Sequence, residues 1–183
     1  MKIMKPAMIL IAVVAAIAAC QPAVTPQPTA TWIPSPPGMG LSSSAFNDSQ
    51  DIPALYSCDG QNRSPALEWV SPPTGTASFA VIAIDPDAGD FTHWVQFDIP
   101  ATAAKLAEGE TQIGVAGQND FGGTGYGGPC PPRGTPAHHY VFTLYALDTN
   151  TLTLSAGASR GEVESVMKSH ILGQVQLIGL FKH

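Results

Sequence analysis

The chain has 183 residues and carries 14 acidic against 8 basic side chains, which gives a formal net charge of −6 at pH 7. Binding to nucleic acid requires a basic surface, so this charge balance argues against a nucleic-acid partner. The length allows one globular domain once the N-terminal segments are set aside.

Residues 1–19 have the features of a secretory signal peptide. Lys2 and Lys5 supply a short cationic start, and residues 7–19 are uniformly apolar. A membrane-spanning helix needs about 20 apolar residues, and this run has only 13. It therefore fits the apolar region of a signal peptide rather than a transmembrane helix.

The end of the apolar run, Ile17-Ala18-Ala19-Cys20, resembles the lipobox of bacterial lipoproteins. The resemblance implies that Cys20 becomes the lipidated first residue of an exported protein and that its acyl chains anchor the protein to the cell envelope. Residue 21 is Gln rather than Asp. By the resemblance, this implies the periplasmic face of the outer membrane if the cell has two membranes. An ordinary cleavage site with an incidental cysteine is the alternative.

The segment after the signal peptide, residues 20–40, is predicted to be a linker. Positions 21–40 contain six prolines separated mainly by Thr, Gln and Ala, a composition that favours extended polyproline II and cannot bury a core. Residues 41–183 are predicted to form the globular domain. An even pair of cysteines in an exported domain, Cys58 and Cys130, predicts a disulfide, with two buried free thiols as the alternative.

Strand patterns dominate this domain. Apolar or alternating runs at 79–84, 94–99, 140–147 and 175–181 predict four strands. One helix is predicted over 160–172, because Ser159 and Glu162 have the spacing of a capping box and Gly173 stands where a C-terminal cap belongs. Its apolar face is predicted to contain Val163, Val166, Met167 and Ile171. The pattern indicates a mostly β domain with antiparallel strands and a late helix.

Two patterns of well-known enzyme classes occur without their structural context. Residues 123–128 match the dinucleotide-binding pattern G-x-G-x-x-G, but prolines follow where a helix would have to begin. Residues 157–161 match the hydrolase pattern G-x-S-x-G, but no Asp follows Ser159, whose spacing fits a helix cap. The histidines and cysteines lack a zinc-binding spacing such as C-x-x-C. We therefore predict no cofactor, no metal and no catalytic residue.

A looser set of polar residues lies in several loops, mostly beside strand ends, which is where β scaffolds carry binding groups. The segments are Cys58-Asp-Gly-Gln-Asn62-Arg-Ser64-Pro65, Asp85-Pro-Asp-Ala88, His93-Trp94, Asn119-Asp-Phe-Gly122, Gly125-Tyr-Gly-Gly-Pro-Cys-Pro-Pro-Arg-Gly134 and His138-His-Tyr140. In content and order they resemble the phosphatidylethanolamine-binding protein family, in its bacterial branch named for similarity to Raf kinase inhibitor protein. The resemblance runs from about residue 40 to residue 182.

This resemblance implies two antiparallel β-sheets in a Greek-key-like sandwich with a C-terminal helix, and a small pocket for phosphate and similar anions. The ligand-binding residues that it implies are Asp85, His93, Asp120, Tyr126, Gly128, Cys130, Pro132 and His138. Protonated imidazoles donate hydrogen bonds to an anion, and glycine-rich backbone lets N–H groups approach one. Asp85 would orient an imidazole or meet an ammonium group. For His93 and for His138, the alternative is a purely structural role without contact to a ligand.

These features together predict an exported, lipid-anchored binding protein for a small phosphate-bearing or other anionic ligand, and not an enzyme. Two other functions stay open. An inhibitor of a protease or a kinase would need a broad exposed apolar rim around the pocket, and a weak phosphoester hydrolase would use His93 and Asp85. Membrane contact would come through the lipid on Cys20, a protein partner is left open, and the oligomeric state is undetermined.

Overall fold

The computed structural model describes Met1 and residues 35–183. The predicted signal peptide after Met1, the lipidation site Cys20 and the linker up to residue 34 lie outside the described residues. Among the described residues, no helix has the length and apolar character needed to cross a membrane.

The described residues form nine strands, two short 3-10 helices and one α-helix. In chain order these are β1 Gly40–Ser42, β2 Gln50–Asp51, a 3-10 helix Ala54–Tyr56, β3 Leu67–Val70, β4 Ser78–Asp85, a 3-10 helix Pro86–Ala88, β5 Phe91–Pro100, β6 Lys105–Leu106, β7 Val115–Ala116, β8 His138–Leu147, α1 Arg160–Met167 and β9 Ile171–Phe181.

The strands are arranged in two sheets. The small sheet has the order β1-β3-β6, and the large sheet has the order β2-β9-β8-β4-β5-β7. Neighbouring strands pair antiparallel, except that β2 pairs parallel with β9 at the edge of the large sheet. The predicted mostly β fold with two sheets is therefore confirmed.

Strand β4 lies inside the large sheet and has apolar neighbours on both of its faces. Phe79, Val81 and Ala83 belong to a core shared with the small sheet, whereas Ala80 and Ile82 belong to a second core shared with α1. A strand that is covered on both faces needs a continuous apolar run rather than alternation. This requirement explains the uninterrupted apolar sequence at 79–84.

Helix α1 begins as the sequence predicts. The Ser159 hydroxyl accepts a hydrogen bond from the Glu162 N–H, and the Glu162 carboxylate accepts one from the Ser159 N–H, so the capping box is confirmed. Val163 and Met167 face the second core. The prediction that Val166 shares their face is wrong, because its side chain is among the exposed ones.

The helix ends earlier than predicted, at Met167. The predicted C-terminal cap, Gly173, lies inside β9, which begins at Ile171. The chain leaves the helix because His170 forms two hydrogen bonds with Asp148, the residue just after β8. The Asp148 N–H donates to the His170 carbonyl at 3.0 Å, and His170 Nδ1 donates to Asp148 Oδ1 at 2.8 Å. These bonds start the pairing of β9 with β8, and β9 is the last element, as the apolar run at 175–181 predicts.

The folded part begins before residue 41. The Ser35 hydroxyl donates to the Gln174 carbonyl at 2.7 Å, and Met39 is buried in the core between the sheets. Residues 36–40, which the composition assigns to the linker, therefore pack against the domain.

Candidate functional site

Three adjacent strands of the large sheet bring one carboxylate and two imidazoles together. Asp85 is the last residue of β4, and the strands on either side of β4 carry His93 on β5 and His138 on β8. Because the pairing is antiparallel, the end of β4 lies beside the starts of both neighbouring strands, with Asp85 opposite Phe91. Asp85, His93 and His138 therefore lie close together at this end of the large sheet.

Asp85 is 2% exposed, and both of its carboxylate oxygens accept hydrogen bonds. Oδ2 accepts from Nδ1 of His138 at 2.7 Å, and Oδ1 accepts from the N–H of Ala88 at 3.1 Å. The second bond caps the 3-10 helix that follows β4. The first bond fixes the ring of His138 with its proton on Nδ1, so that Nε2 is the nitrogen available to a ligand.

The imidazole of His93 is held by a backbone carbonyl and by aromatic rings. Its Nδ1 donates to the Gly127 carbonyl at 2.7 Å, and a carbonyl can only accept, so the proton is on Nδ1. The rings of Phe91, Phe121 and Tyr140 lie around it, with centroid distances of 5.2, 5.3 and 5.0 Å. His93 is therefore fixed in position and in tautomer.

Burial lowers the pKa of His93 below its ordinary value of 6.5, because the ring is removed from water. The Gly127 carbonyl and the Asp85 carboxylate oppose this shift without reversing it. At neutral pH the ring is therefore uncharged and has a lone pair on Nε2. This nitrogen accepts a hydrogen bond rather than donating one.

We expect His93 to make the protein less stable in mild acid. The unfolded chain binds a proton at His93 near pH 6.5, whereas the folded chain binds it only at lower pH. The free energy of unfolding should therefore fall as the pH drops below about 6.5 and be unaffected by this residue above it. Urea unfolding between about pH 8 and pH 5 should show a smaller decline for His93→Gln than for the parent.

The matched control for this comparison is His170→Gln, which removes an imidazole that is 39% exposed. An equal decline in the parent and in His93→Gln would contradict the prediction.

Asp85, His93 and His138 line a cavity of about 170 Å³. Its other lining residues are Ala88, Phe91, Phe121, Cys130, Pro131, Pro132 and Tyr140. Pockets for drug-sized ligands are roughly 300–1,000 Å³, so this cavity suits a single small group. Neither Lys nor Arg is among these lining residues of the described chain.

The proline side of the cavity is attached covalently to another loop. Cys130 forms a disulfide with Cys58, and their Cα atoms are 5.5 Å apart. The Cys58 N–H also donates to the Pro129 carbonyl at 3.0 Å. The structure thus contains the disulfide that the sequence predicts, and this disulfide positions the wall formed by Cys130 and the two prolines after it.

The structure brings five of the eight predicted ligand-binding residues to this cavity: Asp85, His93, Cys130, Pro132 and His138. The other three have structural contacts nearby. The Asp120 carboxylate accepts from the backbone N–H of residue 92, and the Gly128 N–H donates to Asn62 Oδ1 at 2.6 Å. The Tyr126 hydroxyl donates to a backbone carbonyl at 2.8 Å. The Gly128 N–H is therefore already bonded and is not the anion donor that a glycine-rich loop suggests.

Three aromatic residues of the cavity were not predicted from the sequence. Phe91 and Tyr140 each lie two positions from a predicted histidine on the same strand, and residues two apart on a strand share a face. That period is the signal that finds them. Phe121 comes from a loop of irregular structure, where no such period exists.

Tyr140 adds a buried polar group to the site. Its hydroxyl has no hydrogen-bond partner among the described residues. Burial and the nearby Asp85 carboxylate raise the pKa of Tyr140 well above its usual value, so the hydroxyl keeps its proton. The group is a donor placed beside the carboxylate and the imidazoles.

A second cavity, of about 410 Å³, is larger but lacks such convergent groups. Tyr126 lines it, together with Arg63, Gln96, Glu110 and other residues. Two of its polar side chains already have protein partners: Gln96 Nε2 donates to a carbonyl at 2.6 Å, and the Glu110 carboxylate accepts from two backbone N–H groups. The buried Ser64 hydroxyl has no partner among the described residues, but no imidazole accompanies it in the described lining of this cavity. We therefore assign the candidate site to the smaller cavity on chemical grounds.

Comparisons with known proteins agree on one family. A family profile described as phosphatidylethanolamine-binding protein matches residues 42–182. The UPF0098 protein of Aquifex aeolicus is 46% identical over 151 residues, covering 79% of this chain and 88% of that protein. A Mycobacterium tuberculosis protein named as lipoprotein LppC is 37% identical over 164 residues, covering 88% of this chain and 81% of its own.

A solved structure gives the same result. The crystal structure of Escherichia coli YbcL, described as a member of the mammalian PEBP family, matches with a TM-score of 0.75 at 30% identity. The match covers 80% of this chain and 99% of that one. The residues matched by the family profile include the whole lining of the smaller cavity.

Proposed function

Because the chain belongs to the phosphatidylethanolamine-binding protein family, we propose that it is an exported, lipid-anchored binding protein whose smaller cavity takes a phosphate-bearing head group or a related small anion. The observation that carries this proposal is the fixed set of Asp85, His138 and His93 around a cavity of about 170 Å³.

The charge of the site restricts which anion fits. Asp85 is buried, and the lining residues include no Lys or Arg, so a fully ionised phosphate would meet a like charge. A bound anion therefore needs His138 in its protonated form, with Nε2 donating, and a proton of its own for the lone pair on His93 Nε2. A phosphate monoester, whose second pKa is about 6, carries such a proton in part near neutral pH.

The surroundings of the cavity favour a small ligand over a protein surface. Phe121 is 53% exposed, and it is the one strongly exposed large apolar side chain among the lining residues of the described chain. An inhibitor that docks on a protease or a kinase would present a broader apolar rim. A small anion needs only the interior of the cavity.

The geometry also favours binding over catalysis. The carboxylate of Asp85 is bonded to His138, not to His93, and His93 is bonded to Gly127. Cys130 cannot act as a thiol nucleophile while it is in a disulfide. A nucleophile with a base and an orienting group, which covalent catalysis requires, is not assembled by the lining residues of the described chain. We therefore propose a binding protein rather than a phosphoester hydrolase.

Export and anchoring rest on two separate observations. The lipobox-like sequence ends at Cys20, and a relative with 37% identity carries the name lipoprotein. We propose that lipid on Cys20 holds the cavity close to a membrane surface, where phosphate-bearing head groups are abundant.

The test is an NMR titration of the whole chain with phosphoethanolamine, which follows the imidazole signals of His93 and His138. Saturable shifts of both signals are expected, while the exposed ring of His170 serves as an internal reference that stays constant. Parallel titrations with inorganic phosphate and with phosphatidylethanolamine vesicles separate a free anion from a lipid head group. Unmoved His93 and His138 signals at millimolar ligand would overturn the proposal.

We expect Asp85→Asn to weaken phosphoethanolamine binding by about 10- to 100-fold, because the amide cannot stabilise a protonated His138 as a carboxylate does. This range corresponds to the roughly 1.5–3 kcal/mol of a hydrogen bond to a charged group. Asp87→Asn is the matched control, since Asp87 also bonds a histidine, His139 at 2.8 Å, but does not line the cavity. Equal losses in the two variants would contradict the assigned role of Asp85.

A further inference from the structure

The disulfide, whose Cys130 also lines the cavity, forms part of a second cluster whose third member, His183, the proposed function does not use. The cluster contains His183, one of whose ring nitrogens lies within 4.8 Å of the sulfur atoms of Cys58 and Cys130. Nε2 of His183 is 3.8 Å from the Cys58 sulfur. Two thiolates and an imidazole are the donors that Zn²⁺ prefers in proteins. We propose that, once the disulfide is reduced, these three side chains bind one Zn²⁺ ion.

The imidazole of His183 is already oriented as a metal ligand would be. Its Nδ1 donates to the Asp59 carboxylate at 2.8 Å, which leaves Nε2 on the side of the sulfur atoms. A carboxylate that holds the outer nitrogen of a metal-ligating histidine is the usual second layer of a zinc site. The side chain is only 7% exposed and packs edge-on against Phe181, with ring centroids 5.9 Å apart. Its position is therefore fixed before any metal binds.

The distances require little rearrangement. Tetrahedral zinc with Zn–S near 2.3 Å and Zn–N near 2.0–2.1 Å places its sulfur and nitrogen ligands about 3.6 Å apart and two sulfurs about 3.8 Å apart. The Cys58–His183 separation of 3.8 Å is already close to the first value. After reduction, the sulfur atoms must move apart to the second value. Both cysteines are exposed and lie outside strands and helices, so this movement does not disturb a sheet.

The reductant in this scheme is a dithiol or a phosphine. A phosphine takes the oxygen of a water molecule to become its oxide, and the two protons of that water pass to the cysteine sulfurs. In exchange with a dithiol, the protein S–S bond breaks, the dithiol closes into its own disulfide, and its two protons pass to Cys58 and Cys130. Zinc binding then releases those two protons, since thiolates are the ligands. Three protein ligands leave one coordination position for water. The disulfide and the zinc complex exclude one another, because each uses both sulfur atoms.

The test uses the whole chain, reduced with a phosphine under nitrogen, freed of reductant and titrated with Zn²⁺. One ion per chain is expected, and Co²⁺ in its place should show the charge-transfer absorbance of thiolate ligands. The parent with its disulfide intact should bind neither ion at this site. Absence of stoichiometric binding by the reduced chain, or equal binding by the oxidised chain, would overturn the proposal.

Variants identify the ligands. Asp59→Asn should weaken Zn²⁺ binding by about 10- to 100-fold, the usual cost of losing a second-layer partner, and His183→Gln should weaken it further. His170→Gln is the matched control: its Nδ1 bonds the Asp148 carboxylate at 2.8 Å, the same arrangement outside the cluster, and its loss should leave binding unchanged. Parent-like affinity in His183→Gln would refute the site.

Circular dichroism of the reduced chain distinguishes Zn²⁺ binding by the folded cluster from Zn²⁺ binding by the cysteines of an unfolded chain. If reduction alone unfolds the chain, Zn²⁺ should restore the native spectrum in the parent and fail to restore it in His183→Gln. Zinc binding that leaves the parent unfolded would count against the proposal.

Discussion

Replacing Cys58 and Cys130 together with Ala should lower the free energy of unfolding by about 4 kcal/mol. The two residues are 72 positions apart, and a disulfide that closes a loop of this length removes that amount of loop-closure entropy from the unfolded chain. The free energy of unfolding of natural domains is roughly 5–15 kcal/mol, so the variant should stay folded but with a much smaller free energy of unfolding. Urea unfolding of the parent and the double variant measures the difference.

Reduction provides the control for this result. A phosphine should move the unfolding midpoint of the parent to that of the double variant and leave the double variant unchanged. A loss of less than about 1 kcal/mol would show that the disulfide does not restrict the unfolded chain as loop-closure entropy requires.

The second large effect is expected at Gly128, where the chain passes close to the loop that carries Cys58. A Cβ atom at this position would collide with the Tyr56 carbonyl and would lie 2.7 Å from Asn62 Oδ1. A collision with backbone cannot be relieved by rotating a side chain, so Gly128→Ala should cost about 3 kcal/mol of stability, the upper part of the usual range for overpacking. Thermal or urea unfolding checks this value.

Gly161→Ala is the matched control for Gly128→Ala. Gly161 lies in α1, and a Cβ atom there meets nothing within 4 Å. Alanine restricts the unfolded chain and favours the helix, so this variant should gain about 0.5–1 kcal/mol. Equal effects of the two substitutions would contradict the steric argument.

Gly128→Ala should also perturb the candidate site. Gly128 precedes Cys130 and the prolines of the cavity wall by only two to four residues. If the loop moves to accommodate the new methyl group, the NMR signal of the His93 imidazole should shift even without ligand, since His93 is bonded to the neighbouring Gly127 carbonyl.

Local sequence patterns were sufficient for the parts of the fold that depend on neighbouring residues. The apolar run at 79–84 predicts a strand, and the spacing of Ser159 and Glu162 predicts the helix cap. Each of these features is decided by side chains within a few positions of one another, so the sequence order alone contains the signal.

Competition between distant segments explains the errors. Ile171 continues the helical spacing of the apolar residues Val163 and Met167. Pairing with β8 nevertheless places Ile171 in a strand, and no local signal indicates that pairing. Tyr126 and Gly128 lie near cavity residues in sequence, yet the irregular loop turns Tyr126 toward the other cavity. His183 had no motif to mark it, because the cysteines beside it are 125 and 53 positions away along the chain.

The disulfide also divides the chain into a covalent ring, residues 58–130, and two open arms. The ring contains β3 to β7 with Asp85 and His93, whereas His138 lies on the arm that follows. A protease that cuts once inside the ring, for example in the exposed stretch at 107–109, leaves both pieces joined by a covalent bond. A cut between 131 and 137 instead leaves β8 and β9 attached only by packing and hydrogen bonds. A single proteolytic cut is therefore tolerable on one side of Cys130 and hazardous on the other.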